Sequence, residues 1–262
     1  MQDLKYVKID RQVCQWLREA REIVLSELNS QLTVETKSGR KDLVTNVDKQ
    51  VEQFLTNKIK TQYPESHILG EEGFGDKVDE NTDGIIWIVD PIDGTMNFVK
   101  QRNNFAIMIG VYKDQEPILG YIMNVVTGEL LHGGPLTGIK LNQAEISNIE
   151  NQGLSEGLIG LSGPLLVHNE YNMQTIGGDS ALGMRIYGSA GLEIMAVIKG
   201  ELVGYISYLR PPWDFGAGKI LAECCGLSFT MVDGQPLNML SSGVVLIATK
   251  RAHSDILTIV SQ

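Results

Sequence analysis

The 262-residue sequence is poor in cysteine. Its three, Cys14 and the adjacent Cys224 and Cys225, are too few and odd in number for a disulfide framework. No C-x-x-C occurs, and the four histidines (His67, His132, His168, His253) fall far apart, without metal-ligand spacing. The thiols are therefore expected to be reduced, mostly buried, and cytoplasmic. The first ten residues, MQDLKYVKID, lack the apolar core of a signal peptide, and no uncharged apolar run reaches transmembrane length. Positive charge is also short: 22 Lys and Arg face 32 Asp and Glu, a formal charge of -10. That deficit speaks against nucleic acid, whose binding depends on neutralising phosphates, and against an anionic membrane surface. If the substrate is itself anionic, something other than the net field must attract it, and a divalent cation would serve.

What is present is a mixture of helical and strand periodicity, with no internal repeat or low-complexity segment. Residues 8 to 29 place Ile9, Val13, Trp16, Leu17, Ile23, Val24 and Leu28 near one helical stripe. A second helix is expected from Thr45 or Asn46 to Tyr63, stopped by Pro64, with Val47, Val51, Phe54, Leu55 and Ile59 as its apolar face. Short strands follow in HIL, IIWIV, FAIMIGVY and ILGYIMNVV, the last turning at Thr127-Gly128 into ELLHG as a hairpin. The acidic, Gly-rich stretch from 73 to 84 reads as a mobile loop. In the second half, strands LIGLS, MRIYG, LVGYISY, LSFTMV and VVLIAT alternate with helices SAGLEIMAVIKG, Asp214–Cys225 and HSDILTIVS. The expected organisation is one unit with an α+β half to about residue 135 and an α/β half beyond it.

Four acidic sites fall where strands end or helices begin: Glu71 in LGEEG, Asp90 and Asp93 in VDPIDGT, and Asp214 in PPWDFGAG. Each has an ordinary explanation taken singly. Asp93 before Gly94 could make a turn, Asp214 could cap a helix, and Glu71-Glu72 could be a solvated loop. Taken together they have a chemical logic. Two carboxylates leaving the apolar run Ile85–Val89 are costly unless they are paired or hold a metal. Pro91 holds Asp90 extended, so both side chains and the Ile92 carbonyl can converge on one point. Gly94-Thr95 can open a helix whose free N–H groups would hold a phosphate. Four carboxylates suit two hard dications.

The motifs DLVTNVDKQVE (42–52), LGEEG (69–73), WIVDPIDGTMNFV (87–99) and PWDFGAGKILAECCG (212–226) followed by VDG occur in this order across almost the whole chain. In them the sequence resembles the inositol monophosphatase family, within the magnesium-dependent, lithium-sensitive sugar phosphatases. The resemblance implies an α/β fold, a five-layered αβαβα sandwich, and usually a homodimer. It implies hydrolysis of a small phosphate monoester by direct attack of metal-activated water. Two to three Mg²⁺ ions are implied, with Mn²⁺ as a substitute and Li⁺ as an inhibitor. Glu71, Asp90 and the Ile92 carbonyl look like ligands of the first metal, and Asp90, Asp93 and Asp214 like ligands of the second. A third, weaker metal would sit near Glu71. Asp48 and Thr95 match the pair that orients and helps deprotonate the water, and the Gly94 and Thr95 N–H groups would cradle phosphate. Lys37 falls on a basic loop (ETKSGRKD) that closes toward the site, and Gly188-Ser189-Ala190 aligns with a segment lining the alcohol pocket.

The match thins at Ser207, seven positions before Asp214, where inositol phosphatases typically carry a Glu that bonds the sugar hydroxyls. A neutral Ser, with Arg210 nearby, alters that pocket. myo-Inositol monophosphate stays the leading substrate, with NADP(H) 2′-phosphate, fructose 1,6-bisphosphate or 3′-phosphoadenosine 5′-phosphate as alternatives. A non-catalytic regulatory relative is the remaining class, and the complete ligand set with Asp48 and Thr95 argues against it.

Overall fold

The computed structural model describes the chain except Met1, Asn29, Gln31, Arg40, Lys41, Asn148, Arg210, Pro211 and Met239, and except the side chains of residues 2–4, 37, 38 and 42. Arg210, expected at the pocket rim, thus lies outside the described residues. So does the side chain of Lys37.

The first long helix, α1 (Gln2–Glu27), begins before the apolar stripe that announced it. Next comes an antiparallel hairpin of β1 (Val34–Gly39) and β2 (Asp42–Thr45). Lys37 was expected on a mobile loop. It lies instead in β1, because this polar segment satisfies its backbone by cross-strand pairing, Glu35 with Val44 and Thr36 with Leu43. Helix α2 (Asn46–Gln62) starts where Thr45 caps it, its hydroxyl accepting from the Val47 N–H at 3.1 Å.

A seven-stranded sheet follows in strict chain order: β3 (His67–Gly70), β4 (Ile85–Asp93), β5 (Ala106–Lys113), β6 (Glu116–Asn124), β7 (Leu130–Gly134), β8 (Gly138–Leu141) and β9 (Ala144–Glu145). Only the β3–β4 pair is parallel. A short helix, α3 (Thr95–Gln101), separates β4 from β5. The stretch 71–84 is irregular as expected but is pinned at its start. The Asp76 carboxylate accepts from the Ile68 N–H at 2.9 Å and pairs with Lys60 at 2.6 Å.

The second sheet has five strands, β10 (Leu158–Leu161), β11 (Gly183–Arg185), β12 (Gly204–Leu209), β13 (Ser228–Met231) and β14 (Gly243–Ala248), in the order β11-β10-β12-β14-β13. Helices α4 (Gly163–Val167), α5 (Ala190–Ile198), α6 (Gly216–Cys224) and α7 (Lys250–Val260) alternate with them. The strand expected over MRIYG ends at Arg185, because the chain turns at Gly188, φ 75°. A π-helical turn over Thr175–Ser180 had no sequence signal. None of the described helices is long and apolar enough to cross a membrane.

Side-chain parity explains the layering. On β5, Ile107, Ile109 and Val111 pack with α1 and α2, while Ala106 and Met108 face α5 and α6. On β14, Val245 and Ile247 join that middle layer, and Val244 and Leu246 pack beneath α7 and α4. The result is the expected αβαβα sandwich. The middle layer is thin where α6 crosses the first sheet, and glycine permits it. A Cβ on Gly120 would come within 2.5 Å of the Ala217 carbonyl, and one on Gly110 within 3.1 Å of the Ala217 nitrogen. Gly120→Ala must therefore push α6 off the sheet, an overpacking cost of about 1–3 kcal/mol. A lowered midpoint in denaturant melts with the m-value unchanged is the expected result.

All three cysteines are free. Cys14 is buried, but Cys224 is exposed and Cys225 half-buried, contrary to expectation, because the last turn of α6 points to solvent before Gly226 (φ 76°) ends it.

Candidate active site

Strand β4 resolves the placement of Asp90 and Asp93. Three positions apart on a regular strand, they would face opposite sides. The pairing with β5 slips between them: Asp90 stands opposite Met108 and Asp93 opposite Ala106, three residues against two. This is a bulge, and Pro91, which has no N–H to donate, sits inside it. The extra residue turns both carboxylates to the α5–α6 side, the side Ala106 and Met108 face. Both are buried, at 2% and 8% exposure.

Each carboxylate is held differently. One Asp90 oxygen accepts the Ile92 N–H at 3.1 Å. Asp93 is gripped by the start of α5: Ala190 N–H donates at 3.0 Å, Gly191 N–H at 2.8 Å, and the Ser189 hydroxyl donates as well. Ser189 and Ala190, expected to line an alcohol pocket, are thus brought onto Asp93. A helix N-terminus is a favourable place for a carboxylate, and these bonds oppose the burial that still pushes the Asp93 carboxyl up to about 6. Asp90 is raised well above the usual carboxylate range, first by burial and then by the charges of Glu71, Asp93 and Asp214. Glu71, Asp93 and Asp214 thus lie near enough for their charges to act on Asp90.

Asp214 approaches from a 3₁₀ turn, Pro212–Asp214. It does not cap the following helix, since the cap position of α6 is Phe215. The Tyr112 hydroxyl fixes the approach by donating to the Gly216 carbonyl at 2.8 Å. Glu71 follows β3, on a loop clasped by a residue that sequence reasoning passed over. Glu52, wholly buried on α2, accepts from the Glu72 N–H at 2.6 Å and the Phe74 N–H at 3.0 Å. The signal was available: Asp48 and Glu52 are spaced i, i+4 on the apolar face of α2, where a charge needs a reason.

Asp48, also fully buried, closes the capping box of α2 by accepting the Thr45 N–H at 2.9 Å. Its other oxygen accepts from the Thr95 hydroxyl at 3.1 Å. That hydroxyl also lies 3.0 Å from the Ile92 carbonyl, so one proton serves two acceptors. Burial raises the Asp48 carboxyl against the Thr45 bonds, and the charge of Glu71 adds to the rise. Gly94, at φ 90°, heads α3, and a Cβ there would meet Ser189 Cβ at 3.1 Å and Asn104 O at 3.2 Å, so glycine is required. Asn97, also unforeseen, ties the site together by donating through Nδ2 toward the carbonyls of Asn104 at 2.8 Å, Tyr187 at 2.7 Å and Gly188 at 3.2 Å.

Ser207 lies buried on β12. Tyr205, two positions earlier and on the same face, has its phenol pushed up by burial and further by the charges of Glu193, Asp93 and Asp214. That face of β12 therefore looks toward the acidic centre. Glu193 on α5 accepts from the Tyr187 N–H at 2.6 Å, and burial pushes its carboxyl up to about 7.

A five-layered sandwich with carboxylates at a strand bulge, beside the Asp48–Thr95 pair, is shared with phosphoric monoester hydrolases, and the family match places the chain among them. The chain belongs to the inositol monophosphatase family, whose model matches residues 5–262. It is 36% identical over 254 residues to the inositol-1-monophosphatase of Bacillus subtilis, covering 96% of each chain. It is 28% identical over 235 residues to a fructose-1,6-bisphosphatase/inositol-1-monophosphatase of Thermotoga maritima, covering 87% of this chain and 86% of that one. The crystal structure of an IMPase/NADP phosphatase complexed with Mg²⁺ and phosphate superposes with a TM-score of 0.89 at 29% identity, covering 97% of this chain and 95% of the other.

Proposed function

We propose that the protein hydrolyses small phosphate monoesters with Mg²⁺, myo-inositol monophosphate being the leading substrate. The observation that carries this reading is the bulge that turns the buried Asp90 and Asp93 to one side, where the charges of Glu71 and Asp214 also reach Asp90. Such a set is unfavourable alone and suits hard, oxygen-seeking dications. The donors fit. Carboxylate oxygens already accepting one hydrogen bond keep a second lone pair, and so does the Ile92 carbonyl. Glu71, Asp90 and Ile92 O would hold one Mg²⁺, and Asp90, Asp93 and Asp214 a second, with a third near Glu71. When bound, such ions supply Lewis acidity toward the phosphoryl group and make water a stronger acid.

The chain's own groups supply the rest. Asp48, with its raised proton affinity, would take the proton of the attacking water through or beside the Thr95 hydroxyl. Thr95 would orient that water, its own hydroxyl fixed between Asp48 and Ile92. The N–H groups of Gly94 and Thr95 would hold the phosphate, and Gly188 and Ser207 would border the alcohol.

A second substrate reading rests on Ser207. A short neutral side chain there leaves room on the β12 face, which favours a bulkier alcohol such as the NADP ribose 2′-phosphate, and the superposed IMPase/NADP phosphatase supports it. Phosphate release from inositol 1-phosphate, NADP and fructose 1,6-bisphosphate at fixed Mg²⁺ separates the two. Turnover of inositol 1-phosphate a thousandfold slower than NADP, roughly 4 kcal/mol of transition-state discrimination, would reject the leading substrate. Release from none of them would reject the function.

A further inference from the structure

On the opposite face of the seven-stranded sheet from the carboxylate centre, α1 presents Asp10 and Cys14, one turn apart, to His132 on β7. The carboxylate, thiol and imidazole ligand atoms all lie within 4.8 Å of one another. His132 Nδ1 stands 2.8 Å from Asp10 Oδ1, and Cys14 Sγ 3.9 Å from the same oxygen. The other ring nitrogen, Nε2, lies 3.0 Å from the Asn142 carbonyl, which can only accept, so Nε2 carries a proton. Nδ1 faces a carboxylate and a sulfur, and the positive centre between them is either a proton, which the Asp10 bond holds against burial, or a metal ion in its place.

A second observation points into the same corner. Tyr121, opposite His132 in the β6–β7 ladder, stacks on its ring with centroids 6.3 Å apart and planes 3° apart. Tyr121 is wholly buried, and its hydroxyl is turned toward the Asp10 carboxylate, too loosely for a well-formed hydrogen bond. Burial raises that phenol first, and the nearby charges of Asp10 and Cys14 raise it further. The corner thus holds a buried hydroxyl only loosely met by Asp10, together with three metal-ligating groups. His132 and Cys14 are nearly enclosed, while the Asp10 side chain keeps 16% exposure and provides a way in.

We propose that Asp10, Cys14 and His132 form a zinc site, distinct from the magnesium centre, with the fourth position directed at the Tyr121 hydroxyl. Thiolate, imidazole and carboxylate are a zinc donor set and a poor match for Mg²⁺. The His132–Asn142 contact is the outer bond that metal-bound histidines make to fix their tautomer. Binding sends two protons to solvent, from Cys14 Sγ and His132 Nδ1, and the resulting charge of -2 on Cys14 and Asp10 matches Zn²⁺. With Zn–N and Zn–O bonds of about 2.0–2.2 Å, the nitrogen and oxygen must part to roughly 3.3 Å, a modest rotation of the half-open Asp10. The ion would staple α1 to the sheet.

The test is Co²⁺, then Zn²⁺, titrated into the chelator-stripped full chain in excess Mg²⁺. One equivalent of Co²⁺ is expected to give a thiolate-to-cobalt charge-transfer band and tetrahedral visible bands, both erased by one equivalent of Zn²⁺. Cys14→Ser is expected to abolish the charge-transfer band and the rise in Tm with Zn²⁺, and Cys224→Ser/Cys225→Ser to keep both. Absence of the band from the unaltered chain overturns the proposal and leaves a proton as the charge between His132 and Asp10. A band that survives in Cys14→Ser, or disappears with Cys224 and Cys225, overturns it equally.

Discussion

Asp214→Asn is expected to lower kcat by at least about 10³-fold, more than the loss of a single preorganised donor, at a smaller cost in stability than Asp93→Asn. The asymmetry comes from what each carboxylate does besides its place in the site. Asp214 does not occupy the cap position of α6, and its charge is one of those acting unfavourably on Asp90. The amide relieves that repulsion and keeps the shape. Asp93→Asn should lose as much activity and also destabilise the fold. Its two oxygens take the Ser189 hydroxyl and the Ala190 and Gly191 N–H groups. An asparagine must set its NH₂ against a donor, leaving a buried group unsatisfied at about 1–3 kcal/mol. Phosphate-release assays beside urea melts of both variants in chelator measure the split. Equal melting midpoints for the two would remove Asp93 from its role as the anchor of α5, and undiminished turnover in Asp214→Asn would remove Asp214 from the site.

The motif residues were legible because they sit in short stretches whose local conformation is nearly fixed. VDPIDGT specifies a strand end, a proline that cannot pair and a glycine that can take φ 90°. The sequence could not reveal the bulge that brings Asp90 and Asp93 onto one side, since that depends on the register with β5, a partner chosen by tertiary packing. For the same reason the sequence does not show that Ser189 and Ala190 also donate to Asp93, Ser189 standing 96 positions away from it. Lys37 was misplaced on a loop because a polar two-stranded hairpin has no apolar alternation to announce it. Asp10, Cys14 and His132 showed no ligand spacing because α1 and β7 meet only in the fold, 122 positions separating Asp10 from His132.

Stripping the protein with EDTA and dialysing the chelator away should abolish turnover, and Mg²⁺ add-back should restore it; the accompanying gain in Tm should be larger at pH 7.5 than at pH 5. The sign follows from the direction in which the buried carboxyls are displaced. Asp93 rises to about 6, and Asp90 is raised well above its ordinary range. An unfolded aspartate titrates near 3.9, so the metal-free fold holds protons that the unfolded chain has already released. Such groups favour the fold fully below about pH 4 and cease to do so as pH climbs through 6 and beyond. Unfolding then becomes easier at pH 7.5 by an amount on the order of a few kcal/mol, unless a dication takes the place of the protons. At pH 5 the protons already do that work, and Mg²⁺ has to displace them before it can bind. Adding back Mg²⁺ alone keeps the comparison free of any effect at Cys14 and His132, whose donors suit zinc. An equal gain at both pH values would mean that these carboxylates are balanced by something other than a bound dication.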